Sequence, residues 1–250
     1  MTIAFQKIKG VVLDTLFPIN CLSCGQGDFW LCEKCFSKIK IVSDQVCPYC
    51  EKSITPAGHT CFACKKKNGL DGIIVSSSYK NDPISLLVHC YKYRFIQDIA
   101  PILGAIIIKS VSAHNLPLPD LIIPVPLHQR RLRFRGFNQS LLIAKYIGEN
   151  IAPGFEIPVL ENVLVRHRYT EPQMKIKNHL HRKNNIQNSF SVIKNEQEKL
   201  KAKNIWLIDD VATTGATLFE CAKVLKKAGA KEVFALVVAR QETKTPVKSA

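Results

Sequence analysis

The chain has 250 residues, 46% of them hydrophobic and 22% charged, with a formal net charge of +15. This length and composition suit one medium globular domain plus something small, and they exclude a chain built of internal repeats or low-complexity sequence. The basic excess favours a polyanionic partner held in a salt-sensitive way, the plainer alternative being a solvated basic surface that aids solubility.

The opening, MTIAFQKIKGVVLDTLFPINC, does not read as a secretory signal. Lys7 and Lys9 stand inside the apolar stretch and Asp14 after it, whereas a signal carries its charge first and then an unbroken apolar block. Residues 3–17 are predicted to form an amphipathic helix that packs through Ile8, Val11, Val12 and Phe17. A cytoplasmic protein is expected.

Eight of the ten cysteines form four CxxC pairs: Cys21 and Cys24, Cys32 and Cys35, Cys47 and Cys50, Cys61 and Cys64. Gaps of 7, 11 and 10 residues separate the pairs. A CxxC turn sets two thiolates on one side of a tight knuckle, and two facing knuckles make the tetrahedral sulfur cage of a structural zinc site. Four knuckles predict two zinc ions. Disulfides are the competing reading, which a reducing compartment opposes, and a rubredoxin-like iron site is a weaker rival. The spacing leaves sequential and interleaved pairings both open. His59, two residues before Cys61, is read as a surface histidine because eight cysteines already fill two sites. Zinc here would hold the fold, because no ligand position is left for water. Each tetrathiolate zinc centre carries a formal charge of about −2, which offsets the +4 of residues 1–70 and leaves the basic character to residues 71–250. Cys90 and Cys221 sit in helical patterns and read as small buried hydrophobes.

Beyond residue 80 two helices are predicted, over 83–93 and 98–113. Lys92 and Arg94 add to the basic surface, and Tyr91 and Tyr93 either stack on bases or pack in the core. The longest later apolar run, 99–108, is too short to span a bilayer. A strand follows over 122–127, with Pro124 and Pro126 restricting its exit. Then HQRRLRFRGFNQS brings Arg130, Arg131, Arg133 and Arg135 with no acidic residue, and a helix over 138–147 buries Leu141, Leu142, Ala144 and Ile147. Arginine forks two hydrogen bonds onto a phosphate, and its plane stacks on a base. Phe134 and Phe137 interleave with these arginines, as sequence-tolerant single-strand binding requires, although packing is the commoner use of phenylalanine. A further strand over 162–165 precedes a second basic stretch, RHRYTEPQMKIKNHLHRKNN, whose plain reading is a solvated basic loop.

The last third carries IWLIDDVATTGAT. Residues 204–208 read as a buried parallel strand, 216–228 as an amphipathic helix ended by Gly229, and 233–239 as another strand. This strand–loop–helix–strand unit predicts a parallel sheet in an α/β domain. Ligands in such sheets sit beyond the carboxyl ends of the strands, where Asp209 and Asp210 lie. The loop Ala212, Thr213, Thr214, Gly215, Ala216, Thr217 enters a helix N-terminus with little side-chain bulk. Its N–H groups, its hydroxyls and the helix dipole suit a phosphate. Carboxylates would repel that phosphate, so they fit sugar hydroxyls or a magnesium-bound diphosphate. The ligand read from the residues is a phosphorylated sugar.

IWLIDDVATTGAT resembles the signature of the type I phosphoribosyltransferases, which bind 5-phosphoribosyl-1-diphosphate (PRPP). PVPLHQRRLRFRGFNQS, the CxxC-rich start, and the later Arg166, Gln173, Arg182, Asn185 and Phe190 resemble the ComF family of competence proteins. The likeness runs nearly the full length. It implies a phosphoribosyltransferase-like parallel sheet with helices on both faces over 71–243, a double zinc ribbon over 1–70, and a short tail over 244–250. It implies that Asp209 and Asp210 contact ribose hydroxyls, that residues 212–217 wrap the 5-phosphate, and that magnesium accompanies PRPP. The second basic stretch would occupy the place of the family fold's mobile catalytic loop, with Arg166, Arg168, Lys175 and Lys177 as candidates to close over diphosphate or contact DNA. The resemblance implies a role in natural transformation, or in the use of DNA as a nutrient, handling incoming single-stranded DNA at the cytoplasmic side of the inner membrane with a helicase or recombination mediator as partner. The alternative is an active phosphoribosyltransferase with an unknown acceptor. No nucleobase hood is recognisable, and the fold alone does not decide catalysis.

Overall fold

The computed structural model describes residues 19–67, 69–80, 83–169 and 186–241. The predicted N-terminal helix over 3–17, the tail over 244–250, and Lys175 and Lys177 lie outside the described residues. Four parallel strands form the main sheet in the order β1 (Gly72–Ser78), β6 (Glu232–Arg240), β5 (Asn204–Ala212), β2 (Leu121–Pro124). The central strands read VFALVVA and IWLI because both faces of a parallel sheet are covered.

The period of two along each strand sorts its side chains between two cores. Beyond α1 (Glu33–Ser37), which lies in the N-terminal cysteine-rich segment, the helices cover the sheet. Ile74, Trp206, Ile208, Leu236 and Val238 face the layer made by α2 (Ile84–Tyr93), α3 (Ala100–Ala113) and α5 (Gln139–Asn150). Ile73, Ile205, Leu207, Ala235 and Val237 face α6 (Ala216–Lys227) and an antiparallel pair, β3 (Leu164–Arg166) with β4 (Phe190–Val192). Helices therefore cover both faces of the sheet, as the sequence implies.

Both edges of the sheet are covered, which removes a template for non-specific strand pairing. At β1, the buried Gln45 amide accepts from Val75 N (2.9 Å) and donates to Val75 O (3.0 Å) and Val42 O (3.1 Å). Val42 N donates to Ser76 O and Ser77 Oγ to Lys40 O, so residues 40–45 run along β1 in place of another strand. At β2, Ile122 exchanges backbone hydrogen bonds with Pro158 O and Leu160 N.

The structure shifts three predicted boundaries and adds one helix. β2 ends at Pro124 rather than at 127, with one further ladder bond from Val125 N to Ile208 O. Residues 129–135, assigned no element from the sequence, form a short helix, α4 (Gln129–Arg135), capped by His128 Nδ1 accepting from Arg130 N and ended by Gly136 at φ 78°. The strand expected over 162–165 is shifted to Leu164–Arg166, where Phe190–Val192 supplies its partner. β5 runs to Ala212, four residues beyond the predicted end, because β6 pairs with it as far as Arg240.

Candidate functional site

The acidic pair lies near the carboxyl end of β5, inside the strand rather than after it. Adjacent strand residues point to opposite faces, so Asp209 and Asp210 have different neighbours. Asp210 turns toward α2, is buried, and pairs with Lys92 Nζ at 2.9 Å. Asp209 accepts from Ser140 Oγ in the first turn of α5 (3.0 Å) and from Asp210 N (2.9 Å). Burial, with the adjacent Asp210 charge, pushes Asp209 up from its ordinary value to about 7, against the opposing pull of Lys92 and Ser140.

Thr213 and Thr214 carry the chain from β5 to α6. Gly215 is the N-cap at φ 72°, a left-handed conformation that glycine adopts without strain. No side chain caps α6 there. The Thr214 hydroxyl accepts from Ala216 N at 3.4 Å. The first N–H groups of a helix have no intrahelical acceptor, so this turn offers donors and a positive dipole end to an anion. Ala212 is not part of the loop: it is a buried strand residue whose carbonyl accepts from Gln241 N at 2.8 Å. Ala216 is the first residue of α6.

Asp209, Asp210, Thr213 and Thr217 line one cleft with Lys92, Arg131, Arg135 and Arg166. Arg166 is buried on β3 with its guanidinium 5.2 Å from the Phe190 ring. Burial lowers its pKa, with Arg131 adding to the effect, and burial likewise lowers Arg131, helped by Arg135. Arg135 Nη1 donates to Gln139 Oε1 at 2.9 Å. Bringing cations together out of water is costly, and an anionic ligand offsets that cost. Sequence reasoning treated Lys92 only as part of a basic surface and missed Ser140, Gln139 and Gln241, all of which line the cleft. No local pattern marks them, since they arrive from α2, α5 and the end of β6.

Outside the cleft the basic residues divide. Arg130, Arg133 and Arg168 are exposed. Arg130 lies over the Tyr169 ring at 4.9 Å, and His128 meets the same ring edge-on at 5.4 Å. Of the two phenylalanines, Phe137 is buried against Tyr91 while Phe134 is 76% exposed beside Phe95. Tyr91 is buried, and its hydroxyl donates to Gln139 O at 2.8 Å; Tyr93 is 47% exposed. The cleft thus opens onto a ledge of exposed arginines and aromatic rings.

The cysteines group in sequence, not interleaved. Cys21, Cys24, Cys32 and Cys35 bring their sulfurs within 4.8 Å of one another, and Cys47, Cys50, Cys61 and Cys64 do the same. Cys24 Sγ to Cys32 Sγ is 3.7 Å and Cys50 Sγ to Cys61 Sγ is 3.9 Å. A tetrahedron with Zn–S bonds of ~2.3 Å has edges of ~3.8 Å, so both sets fit zinc. Four thiolates close each shell, which makes the ions structural. The ribbons are packed onto the α/β body: Cys21, Leu31, Cys32 and Ile39 join the core of α2, α3 and α5, and His59 pairs with Gly72 at the start of β1. His59 is exposed, its ring edge-on to Phe234 at 4.7 Å.

A parallel sheet with an acidic pair and an uncapped loop–helix turn at its carboxyl end, carried behind two four-cysteine ribbons, defines a phosphoribosyltransferase-type domain joined to a double zinc ribbon. The family models agree: "Double zinc ribbon domain" matches residues 12–65 and "Phosphoribosyl transferase domain" matches residues 147–250. The chain is 30% identical over 236 residues to "Competence protein F" of Haemophilus influenzae, covering 90% of this chain and 98% of that one. It is 33% identical over 195 residues to "DNA utilization protein YhgH" of Salmonella typhi (75% of this chain, 81% of the other). It is 27% identical over 208 residues to "Competence protein ComFC" of Bacillus subtilis (80% and 79%). The chain belongs to the competence protein F (ComF) family. Among the described residues no helix is long and apolar enough to cross a membrane.

Proposed function

We propose that this protein handles single-stranded DNA during natural transformation in the cytoplasm, and that its cleft binds PRPP with magnesium as ligand or regulator. One observation carries the reading: the cleft holding Asp209, Asp210, Thr213 and Thr217 shares its arginine wall with an exposed basic and aromatic ledge. The names of the relatives, competence and DNA utilization proteins, support the same role.

Within the cleft the 5-phosphate would sit on the N–H groups and hydroxyls of 213–217, at the positive end of α6. Asp209 and Asp210 would accept the ribose hydroxyls, the ligand sharing or displacing the Lys92 ammonium at Asp210. Arg131, Arg135 and Arg166 would hold the diphosphate as bidentate donors, and magnesium would neutralise part of its charge. Arg168, Lys175 and Lys177 are offered to the same ligand or to DNA. On the ledge, Arg130 and Arg133 would track phosphates while Phe134, Tyr93 and Tyr169 offer faces to bases. DNA stays outside the acidic pocket, because its sugars lack the 2′-hydroxyl and its bridging phosphates would face two carboxylates. A competence helicase or recombination mediator is the protein partner in this reading.

Fluorescence anisotropy of a labelled single strand at physiological salt, with and without magnesium PRPP, tests the proposal. Binding that PRPP strengthens or weakens supports it. The absence of DNA binding in both conditions overturns it.

The second reading is phosphoribosyl transfer to an acceptor. It is favoured by one feature, the Asp209 carboxyl beside the proposed sugar site, whose pKa burial raises to about 7, within range of a general base. PRPP-dependent release of diphosphate in the presence of an acceptor, abolished in Asp209→Asn, separates it from the first.

A further inference from the structure

We propose that the second zinc ribbon braces the phosphate-binding loop, with Tyr49 and Glu51, the two residues flanking Cys50, as positioning residues acting through Phe219 and Arg240. The inference rests on reading 213–217 as a phosphate site.

The two ribbons open with equivalent knuckles. In the first, Gly25 N donates to Cys21 O at 2.9 Å; in the second, Glu51 N donates to Cys47 O at 2.9 Å. The residue after the first CxxC pair of each ribbon has positive φ, 77° at Gly25 and 56° at Glu51. Glycine takes that conformation freely, whereas a residue with a Cβ is strained there. The first ribbon uses glycine at this point; the second uses glutamate. A strained backbone position kept by a long charged side chain points to a job for the side chain.

The Glu51 carboxylate meets Arg240 Nη2 at 2.5 Å, where β6 ends. Arg240 Nε donates to Thr213 O at 3.3 Å, so the ion pair holds the first residue of the loop through its carbonyl. On the other side of Cys50, the Tyr49 ring stacks on Phe219 with centroids 4.8 Å apart and 29° between planes. Phe219 lies over Gly215: a Cβ at that glycine would stand 3.1 Å from its ring. Tyr49 is itself anchored, its hydroxyl accepting from Leu70 N at 3.0 Å. The loop is thus held at its start by Glu51 and Arg240, and at its helix end by Tyr49 and Phe219. The first ribbon packs instead with α2, α3 and α5. Donors that must converge on one anion bind it more tightly when they are fixed beforehand.

Glu51→Gly in the full-length chain tests this, since it removes the carboxylate and relieves the backbone. Bound zinc is measured after denaturation, hydrogen exchange is read over the amides of 213–219, and magnesium PRPP binding is followed by calorimetry. The expected result is two zinc ions retained, a melting temperature unchanged or higher, and loop amides exchanging about threefold to fivefold faster, as loss of a partly exposed ion pair allows. PRPP affinity falls by a similar factor. Tyr49→Leu gives the same loosening, and Glu33→Gln, beside Cys32 in the first ribbon, gives none. Unchanged exchange and affinity in Glu51→Gly overturns the proposal, and so does loss of zinc together with the loop's protection, which would make Glu51 a stabiliser of the metal site. If the wild-type chain binds no PRPP, the ligand reading falls, and the exchange measurement alone decides whether Glu51 braces the loop.

Discussion

Lys92 Nζ stands 2.9 Å from Asp210 Oδ1, with 19% of the lysine side chain and 7% of the aspartate side chain exposed. The two residues come from α2 and β5 and form an ion pair in the wall of the cleft. A pair of this kind adds little net stability, but removing one partner leaves the other charge uncompensated out of water.

Lys92→Met is therefore expected to destabilise the protein by roughly 2–4 kcal/mol at neutral pH, somewhat below the full buried-pair figure because the ammonium is partly hydrated. The double variant Lys92→Met/Asp210→Asn recovers most of that loss. Urea titrations with an unchanged m-value check both, and a double variant no more stable than Lys92→Met alone contradicts the account.

Asp209 sets a pH dependence. Its folded pKa is raised from 3.8 to about 7, so between those values the native state holds a proton that the unfolded chain has released. The sign follows: the penalty for ionising Asp209 is absent near pH 4, grows as pH rises, and is complete above about 7. Asp209→Asn removes the penalty, so it raises the melting temperature more at pH 8 than at pH 5. An equal gain at both pH values would show that Asp209 ionises normally in the folded chain.

The ledge separates charge from stacking. Replacing Arg130 and Arg133 together by glutamine is expected to lower the salt slope of single-strand binding by about 1.4, at ~0.7 per lost phosphate contact. Phe134→Ala should weaken binding by about 1–3 kcal/mol while leaving the slope alone, because a stacked base releases no counterion. Titrations between low and moderate salt read both quantities, and a slope indifferent to the arginines places the DNA elsewhere.

The pairing of the cysteines predicts a zinc count. Cys21→Ser/Cys32→Ser strikes two knuckles of one cage, so one zinc should remain in the other. Cys21→Ser/Cys47→Ser strikes both cages and should leave none. Metal analysis of the purified chains distinguishes this from an interleaved pairing, in which the first pair of substitutions would empty both sites. Loss of either metal is expected to loosen its ribbon, since the backbone bonds and packing that remain do not replace four metal–sulfur bonds.

Much of the architecture is legible in local pattern. The buried strands announce themselves by unbroken apolar runs, and the helices over Ile84–Tyr93, Ala100–Ala113 and Ala216–Lys227 by their periodicity. The boundaries were less legible where a neighbour decides them. β5 continues through two aspartates because β6 is there to pair with it, and Ala212 becomes strand for the same reason. Arg166 looks like any member of a basic stretch, yet it is a buried residue of β3 because β4 lies alongside it. Phe134 and Phe137 are three positions apart in the same string, and only packing makes one an exposed ring and the other a core residue.

By itself the sequence determined the kind of chemistry: eight thiolates at knuckle spacing, an acidic pair at a strand end, and a bulk-free loop entering a helix. Those features depend on neighbours within a few residues, so covalent spacing and local backbone preference are enough to specify them. The tertiary structure decided which cysteines share a cage, which cation meets Asp210, and which ribbon touches the 213–217 loop. Those are contacts between groups far apart in the chain, such as Glu51 with Arg240 and Lys92 with Asp210. Burial of the apolar faces sets them, because only the packed layers bring α2 over β5 and the second ribbon against α6.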